Sequence, residues 1–159
     1  MTRMAITGHR GLPTDVTDRV TVELRALVDG HADGELTAVS CIADGPDSLF
    51  ARFVLDAGGA LVVIVPAARY RDGLPIEHHA TYDALHACAA HVINLDHVES
   101  TSEAHMDASL RMLDEADHLV AVWDGQPARG FGGTADVVAA ARERGMPVTV
   151  VWPDGATRD

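Results

Sequence analysis

The stretch from Asp117 to Trp152 constrains this chain more than any other, because it reads as a complete strand–loop–helix–strand unit. His118-Leu-Val-Ala-Val-Trp123 is a short apolar run with β-branched residues, the pattern of a strand buried on both faces. Thr134 to Arg144 is alanine-rich and stops at Gly145, as a helix that ends on glycine does. Pro147-Val-Thr-Val-Val-Trp152 reads as a second strand. The intervening loop carries Asp124, Gly125, Arg129, Gly130, Gly132 and Gly133 ahead of Thr134. Its glycines let the backbone approach a ligand, and Thr134 is placed to cap the helix. The helix N-terminus directs free N–H groups and a partial positive charge at the crevice, which suits a phosphate or a ribose.

The rest of the chain repeats the alternation. Met4-Ala-Ile-Thr7 is a first strand followed at once by Gly8-His9-Arg10-Gly11. Val16, Val20, Leu24, Leu27 and Val28 recur at helical spacing up to Gly30. Leu36 to Cys41 is a second strand, followed by Asp44-Gly45-Pro46-Asp47, and Asp47 or Ser48 begins a helix that stops at Gly58-Gly59. Ala60-Leu-Val-Val-Ile-Val65 is the clearest buried strand. A helix is expected over residues 77–90, a weaker strand over 91–95 and a further helix over 102–116, with Met106, Leu110 and Leu113 on one face. Residues 152–159 are expected to fray. Strand–helix alternation of this kind predicts one α/β domain over residues 1–159. It is a Rossmann-like, doubly wound, mainly parallel sheet of about six strands with helices on both faces, in the order 4-3-2-1-5-6. The three glycine-bearing loops then share one edge of the sheet, where such folds bind ligands at the switch in strand order.

Charge and composition narrow the partners. A net charge of −12 opposes binding to a polyanion, so nucleic acid is not expected. All twelve Lys and Arg residues are arginine, which excludes a Walker A loop and Schiff-base chemistry, since both need a lysine amine. No apolar run approaches the roughly 18 residues that span a bilayer, and no signal-peptide layout opens the chain, so no membrane partner and a cytoplasmic location are expected. Two cysteines make no disulfide framework. The spacing of His78, His79, His86, His91, His97 and His105 matches no zinc pattern, so no metal is expected.

Thr7-Gly8-His9-Arg10, Ala43-Asp44-Gly45-Pro46-Asp47 and Asp117–Gly125 leading to Gly132-Gly133-Thr134 resemble, in that order, the motifs of the SLOG superfamily. That Rossmann-like group holds the cytokinin-activating phosphoribohydrolases, formerly called lysine decarboxylase-like proteins, and the DNA-processing protein A domain. The resemblance implies a pocket for a nucleotide or an ADP-ribose-like signal, with no required cofactor. It does not imply the hydrolase activity: Ala108 stands where the phosphoribohydrolases carry an Arg, and Val137 where they carry a Glu. Asp136 is one position away from that Glu and points roughly 100° around the helix from it.

For the ligand, the glycine loops (Gly8, Gly45, Gly125, Gly130, Gly132, Gly133, Thr134) supply close backbone approach. Arg10 and Arg129 are the candidates to neutralise phosphate, or else solvated surface. Asp47 and Asp136 are candidates for ribose hydroxyls, or else local helix-terminal acids. His9 either touches ligand or bonds a neighbouring loop. Trp123 and Tyr70 can stack on a base, although a Trp at a strand end is more often core. Cleavage of an N-glycosidic bond is the alternative function, with Asp47, Asp124 or Asp136 as the carboxylate. A protein-partner module without a small ligand is the third. Pairing through helices that flank the sheet would give a homodimer.

Overall fold

A computed structural model describes residues 2–158. Six strands, β1 (Thr2–Gly8), β2 (Leu36–Ser40), β3 (Ala60–Ala67), β4 (His91–His97), β5 (His118–Val122) and β6 (Val148–Val151), form one parallel sheet in the order β4-β3-β2-β1-β5-β6. The helices are α1 (Thr14–Asp29), α2 (Pro46–Asp56), α3 (His79–Ala87), α4 (Ser102–Asp114) and α5 (Thr134–Glu143). The strand order is the expected one, and it places the reversal of direction between β1 and β5.

Burial follows sheet position. β3 is paired on both sides and its residues from Leu61 to Ala67 are all buried, whereas β4 lies on the edge and buries none of its residues completely. The apolar stripe of α1 seats Val16, Val20, Leu24 and Val28 in the core, one turn apart each time. Crossovers in one direction bring α1 against α2 and α2 against α3, and the return brings α4 against α5. Gly8 ends β1 opposite Val122; a Cβ there would lie 2.9 Å from the Val122 Cβ and 3.0 Å from Pro46, so glycine lets β1, β5 and α2 close on one another. No helix among the described residues is long and apolar enough to cross a membrane.

Several local expectations change. The segment expected as one helix over 77–90 is a 3-10 turn, Ile76–His78, followed by the shorter α3. The buried stripe of α4 runs through Ala104, Ala108 and Met112 with Ser109 and Leu113, not through Met106 and Leu110, because small residues let the helix lie close to the sheet. Helix α2 starts one residue early, on Pro46, whose fixed φ and missing N–H suit the first turn. Thr134 does not cap α5: it is buried as the first helical residue, and the Asp136 carboxylate accepts the Gly132 amide at 2.9 Å instead. Residues 153–158, expected to fray, pack back onto the molecule: Pro153 is buried, the Trp152 indole donates to the Ala156 carbonyl at 3.1 Å, and Arg158 reaches His9.

Candidate functional site

The loops that follow β1, β2 and β5 meet at the C-terminal edge of the sheet around a cavity of about 340 Å³. Gly8, His9 and Arg10 come from the first loop, Cys41, Ala43 and Asp47 from the second, and Ala128 to Thr134 from the third. Pro66 and Tyr70 close it from beyond β3, and His105, Ser109 and Met112 from α4. Of the residues singled out in the sequence, Gly8, His9, Arg10, Asp47, Arg129, Gly130, Gly132, Gly133 and Thr134 line it. Gly45, Asp124, Gly125 and Asp136 do not.

The turn after β2 sets the position of Asp47. Ile42 is buried yet holds φ at +46°, a left-handed conformation that costs a β-branched residue strain. Side chains bind that turn from three sides. The Ser40 hydroxyl accepts the Ile42 amide at 2.9 Å and donates to the Asp47 carbonyl at 3.1 Å. The Ser48 hydroxyl donates to the Ala43 carbonyl at 2.6 Å, and His78 Nε2 donates to the Ile42 carbonyl at 3.0 Å. So held, the Ala43 backbone hydrogen-bonds the Asp47 carboxyl, and Asp44 pairs with Arg10 at 2.6 Å. Burial nevertheless pushes the Asp47 pKa up to about 7, against the pull of Ala43 and Arg10. Asp47 is the only carboxylate on the cavity wall among the described residues.

At the other side, His9 joins the first and last parts of the chain. Arg158 Nη1 lies 2.7 Å from His9 Nδ1. A guanidinium only donates, so Nδ1 accepts and the ring proton sits on Nε2, 3.2 Å from Asp124 Oδ1. The Asp124 amide also points at Nε2, at 3.1 Å, and one neutral tautomer cannot meet both demands. Burial first, and then the Arg158 charge, hold the His9 pKa below its ordinary value despite Asp124. Burial works to raise the Asp124 pKa, but the Gln126 amide, His9 and Arg158 together keep it below the usual carboxylate range. Asp124 thus stands behind the cavity as an ionised anchor: it accepts the Gln126 amide at 3.0 Å, pairs with His9, and lies 3.3 Å from Arg158 Nε.

Trp123 is half-buried and does not face the cavity. Its indole donates to the Gln126 carbonyl at 2.8 Å, and the Arg142 guanidinium lies over its ring at 5.7 Å, so it braces the loop rather than offering a stacking surface. Tyr70 does line the cavity, with His105 edge-on to its ring at 5.7 Å. Sequence reading missed Arg158, which was placed in a frayed tail; Phe131, 64% exposed at the cavity mouth between two glycines; and His105, Ser109 and Met112, whose spacing on α4 was the available signal. Ala108 and Val137 are both buried, so no side chain reaches the cavity from the positions where a phosphoribohydrolase carries Arg and Glu. Among the described residues no three His, Cys, Asp or Glu side chains gather as a metal site requires.

No protein-family model and no curated protein matches the chain. Solved structures do. DNA processing protein A from Streptococcus pneumoniae superposes with a TM-score of 0.68 at 16% identity, over 98% of this chain and 52% of that one. DNA processing protein A from Helicobacter pylori, described in a single-stranded DNA binding mode, gives 0.70 at 14% identity, over 98% and 68%. The Moco carrier protein of Chlamydomonas reinhardtii gives 0.57 at 14% identity, over 94% and 75%. The chain spans about half the length of the pneumococcal protein. The chain shares the Rossmann-like fold of these structures, a six-stranded parallel sheet flanked by helices. One expectation is overturned: a protein of this fold binds single-stranded DNA, so nucleic acid is not excluded as a partner. The physical reason is that net charge sums the whole surface, whereas a polyanion meets a local field, and Arg10, Arg129 and Arg158 cluster at this cavity.

Proposed function

We propose that this chain binds a nucleotide or a nucleotide-derived molecule of the ADP-ribose kind in the cavity at the C-terminal edge of its sheet. The observation that carries the reading is the convergence of three glycine-bearing loops and three arginines on one hollow of about 340 Å³, within the range of small-molecule sites. The body of the ligand lies between Tyr70, Met112 and the glycine loop, with the Asp47 carboxyl beside it. The ligand leaves unchanged in this reading, since neither Ala108 nor Val137 supplies a catalytic group. A Moco carrier among the structures of the same fold is consistent with a protein that holds its ligand without turning it over.

The test is a thermal-shift panel of AMP, ADP, NAD, ADP-ribose and a short single-stranded oligonucleotide, with mass spectrometry of the same samples. A ligand at 100 times its dissociation constant stabilises by about 2.7 kcal/mol, a shift of several degrees. A shift with intact nucleotide supports the proposal. Breakdown products would instead identify an N-glycosidic-bond enzyme, with Asp47 the carboxylate in place. A shift with the oligonucleotide alone would favour the second reading, single-stranded nucleic acid, which the Helicobacter pylori structure motivates. No shift at all would leave a protein-partner module.

A further inference from the structure

We infer that the phosphate of the ligand sits in the hollow walled by His9, Arg10, Arg129 and Arg158, and not at the N-terminus of α5. This inference rests on the nucleotide reading for the body of the ligand, but its anion site stands on separate geometry.

The helix terminus is already taken. Asp136 turns its carboxylate back onto the Gly132 amide at 2.9 Å, so a negative charge occupies the place where the helix would attract a phosphate. A second anion there would meet repulsion. The hollow is the opposite case. It measures about 210 Å³, adjoins the main cavity through the same four residues, and has no carboxylate on its wall among the described residues. Asp44 and Asp124 stand behind it: the first grips Arg10 through Nε and Nη2, and the second lies 3.3 Å from Arg158 Nε. The Arg10 and Arg158 guanidinium heads are therefore held in place before an anion arrives, which reduces the ordering cost of binding.

Charge counting points the same way. The chain has 24 acidic residues and 12 arginines, yet three of those arginines share this one hollow. Arg158 Nε is buried, and its neighbour Asp124 Oδ2, 3.3 Å away, pairs with it by charge without hydrogen-bond geometry. Planar guanidiniums bind phosphate through paired hydrogen bonds, and His9, kept neutral, adds no charge of its own to be compensated.

The experiment is calorimetric titration of the full chain with pyrophosphate, AMP and adenosine, and with a short single-stranded oligonucleotide with and without a terminal phosphate. Wild type, Arg129→Gln, Arg158→Gln and Asp136→Asn are compared, with melting curves to confirm folding. AMP should bind more tightly than adenosine. Each arginine variant should weaken AMP about ten-fold, as losing one charge-assisted contact does, and leave adenosine unchanged. Asp136→Asn should leave that preference intact. If Asp136→Asn tightens AMP while the arginine variants bind normally, the phosphate lies on α5; the inference then fails and the nucleotide reading survives. If pyrophosphate binds in an Arg158-dependent way while adenosine and AMP are silent, the hollow stands and the nucleotide reading fails. Arginine-dependent binding of both oligonucleotides alike assigns the phosphate to a strand backbone, and preference for the phosphorylated one to a terminal group. If neither AMP, pyrophosphate nor oligonucleotide binds, the hollow is not an anion site.

Discussion

Arg158 donates to His9 Nδ1 at 2.7 Å and so links two residues 149 positions apart at the mouth of the cavity. The contact adds to burial in setting the state of His9. Burial and the Arg158 charge both disfavour its protonation, with Asp124 pulling the other way. Arg158→Gln removes the second influence and leaves Asp124 in place. The His9 ring should then titrate at a higher pH than in the wild type, read from its nuclear magnetic resonance signals. An unchanged midpoint would show that Arg158 does not sit on His9 in solution.

Asp47 should make the protein less stable as pH rises. Its folded-state pKa is about 7 against an ordinary 3.8, so between these values the folded state binds more protons than the unfolded one. The cost of ionising it grows through that window and is complete above it. Asp47→Asn cannot ionise and keeps an acceptor for Ala43. Its stability relative to wild type should improve by about 2–3 kcal/mol between about pH 5 and 8. The lowered pKa values of His9, His105 and His118 slope the other way, but they are common to both proteins and cancel in the difference. Parallel stability curves would mean that Asp47 is solvated.

Two glycines of the β5–α5 loop separate strain from function. Gly125 and Gly132 both hold φ near +80°, so alanine at either costs about 1–2 kcal/mol of backbone strain. Around Gly125 there is open space, whereas a Cβ on Gly132 would lie 2.9 Å from the Ser102 carbonyl and push the loop off α4. Both variants should melt lower, Gly132→Ala by more because of that clash, and only Gly132→Ala should lose ligand affinity. Gly133→Val should also abolish binding, through the Ala128 Cβ it would meet at 2.9 Å and hence through Arg129. Intact affinity in Gly132→Ala would remove this loop from the site.

The sheet was legible because β3 and β5 are uninterrupted apolar runs, and the edge that carries the cavity was legible because glycine loops follow three strands. Local periodicity carries that much. The terminal segment was misread because its anchors, the Trp152 indole on Ala156 and Arg158 on His9, are specific contacts that leave no period in the sequence. Asp136 looked free to hold ribose, since nothing local says that its carboxylate turns back to Gly132. Net charge misled for the same reason: it has no address, and three arginines from the two ends of the chain and a loop meet only in the fold.

The strained turn after β2 is the last place where side chains carry the site. Ile42 would relax out of φ +46° unless its amide and carbonyl were held, and the Ser40 hydroxyl, fully buried, takes the amide. Ser40→Ala removes that acceptor and the donor to the Asp47 carbonyl together. A buried amide left without a partner costs about 1–3 kcal/mol, which urea denaturation would read directly. The same change frees the turn that carries Ala43 and Asp44, so the Arg10 head loses its fixed partner and affinity for a phosphate ligand should fall with stability. Ser48→Ala tests the other strut, because its hydroxyl holds the Ala43 carbonyl rather than the amide of Ile42. If Ser40→Ala matches wild type in both stability and affinity, the turn keeps its shape without the serine, and the strain at Ile42 plays no part in positioning the site.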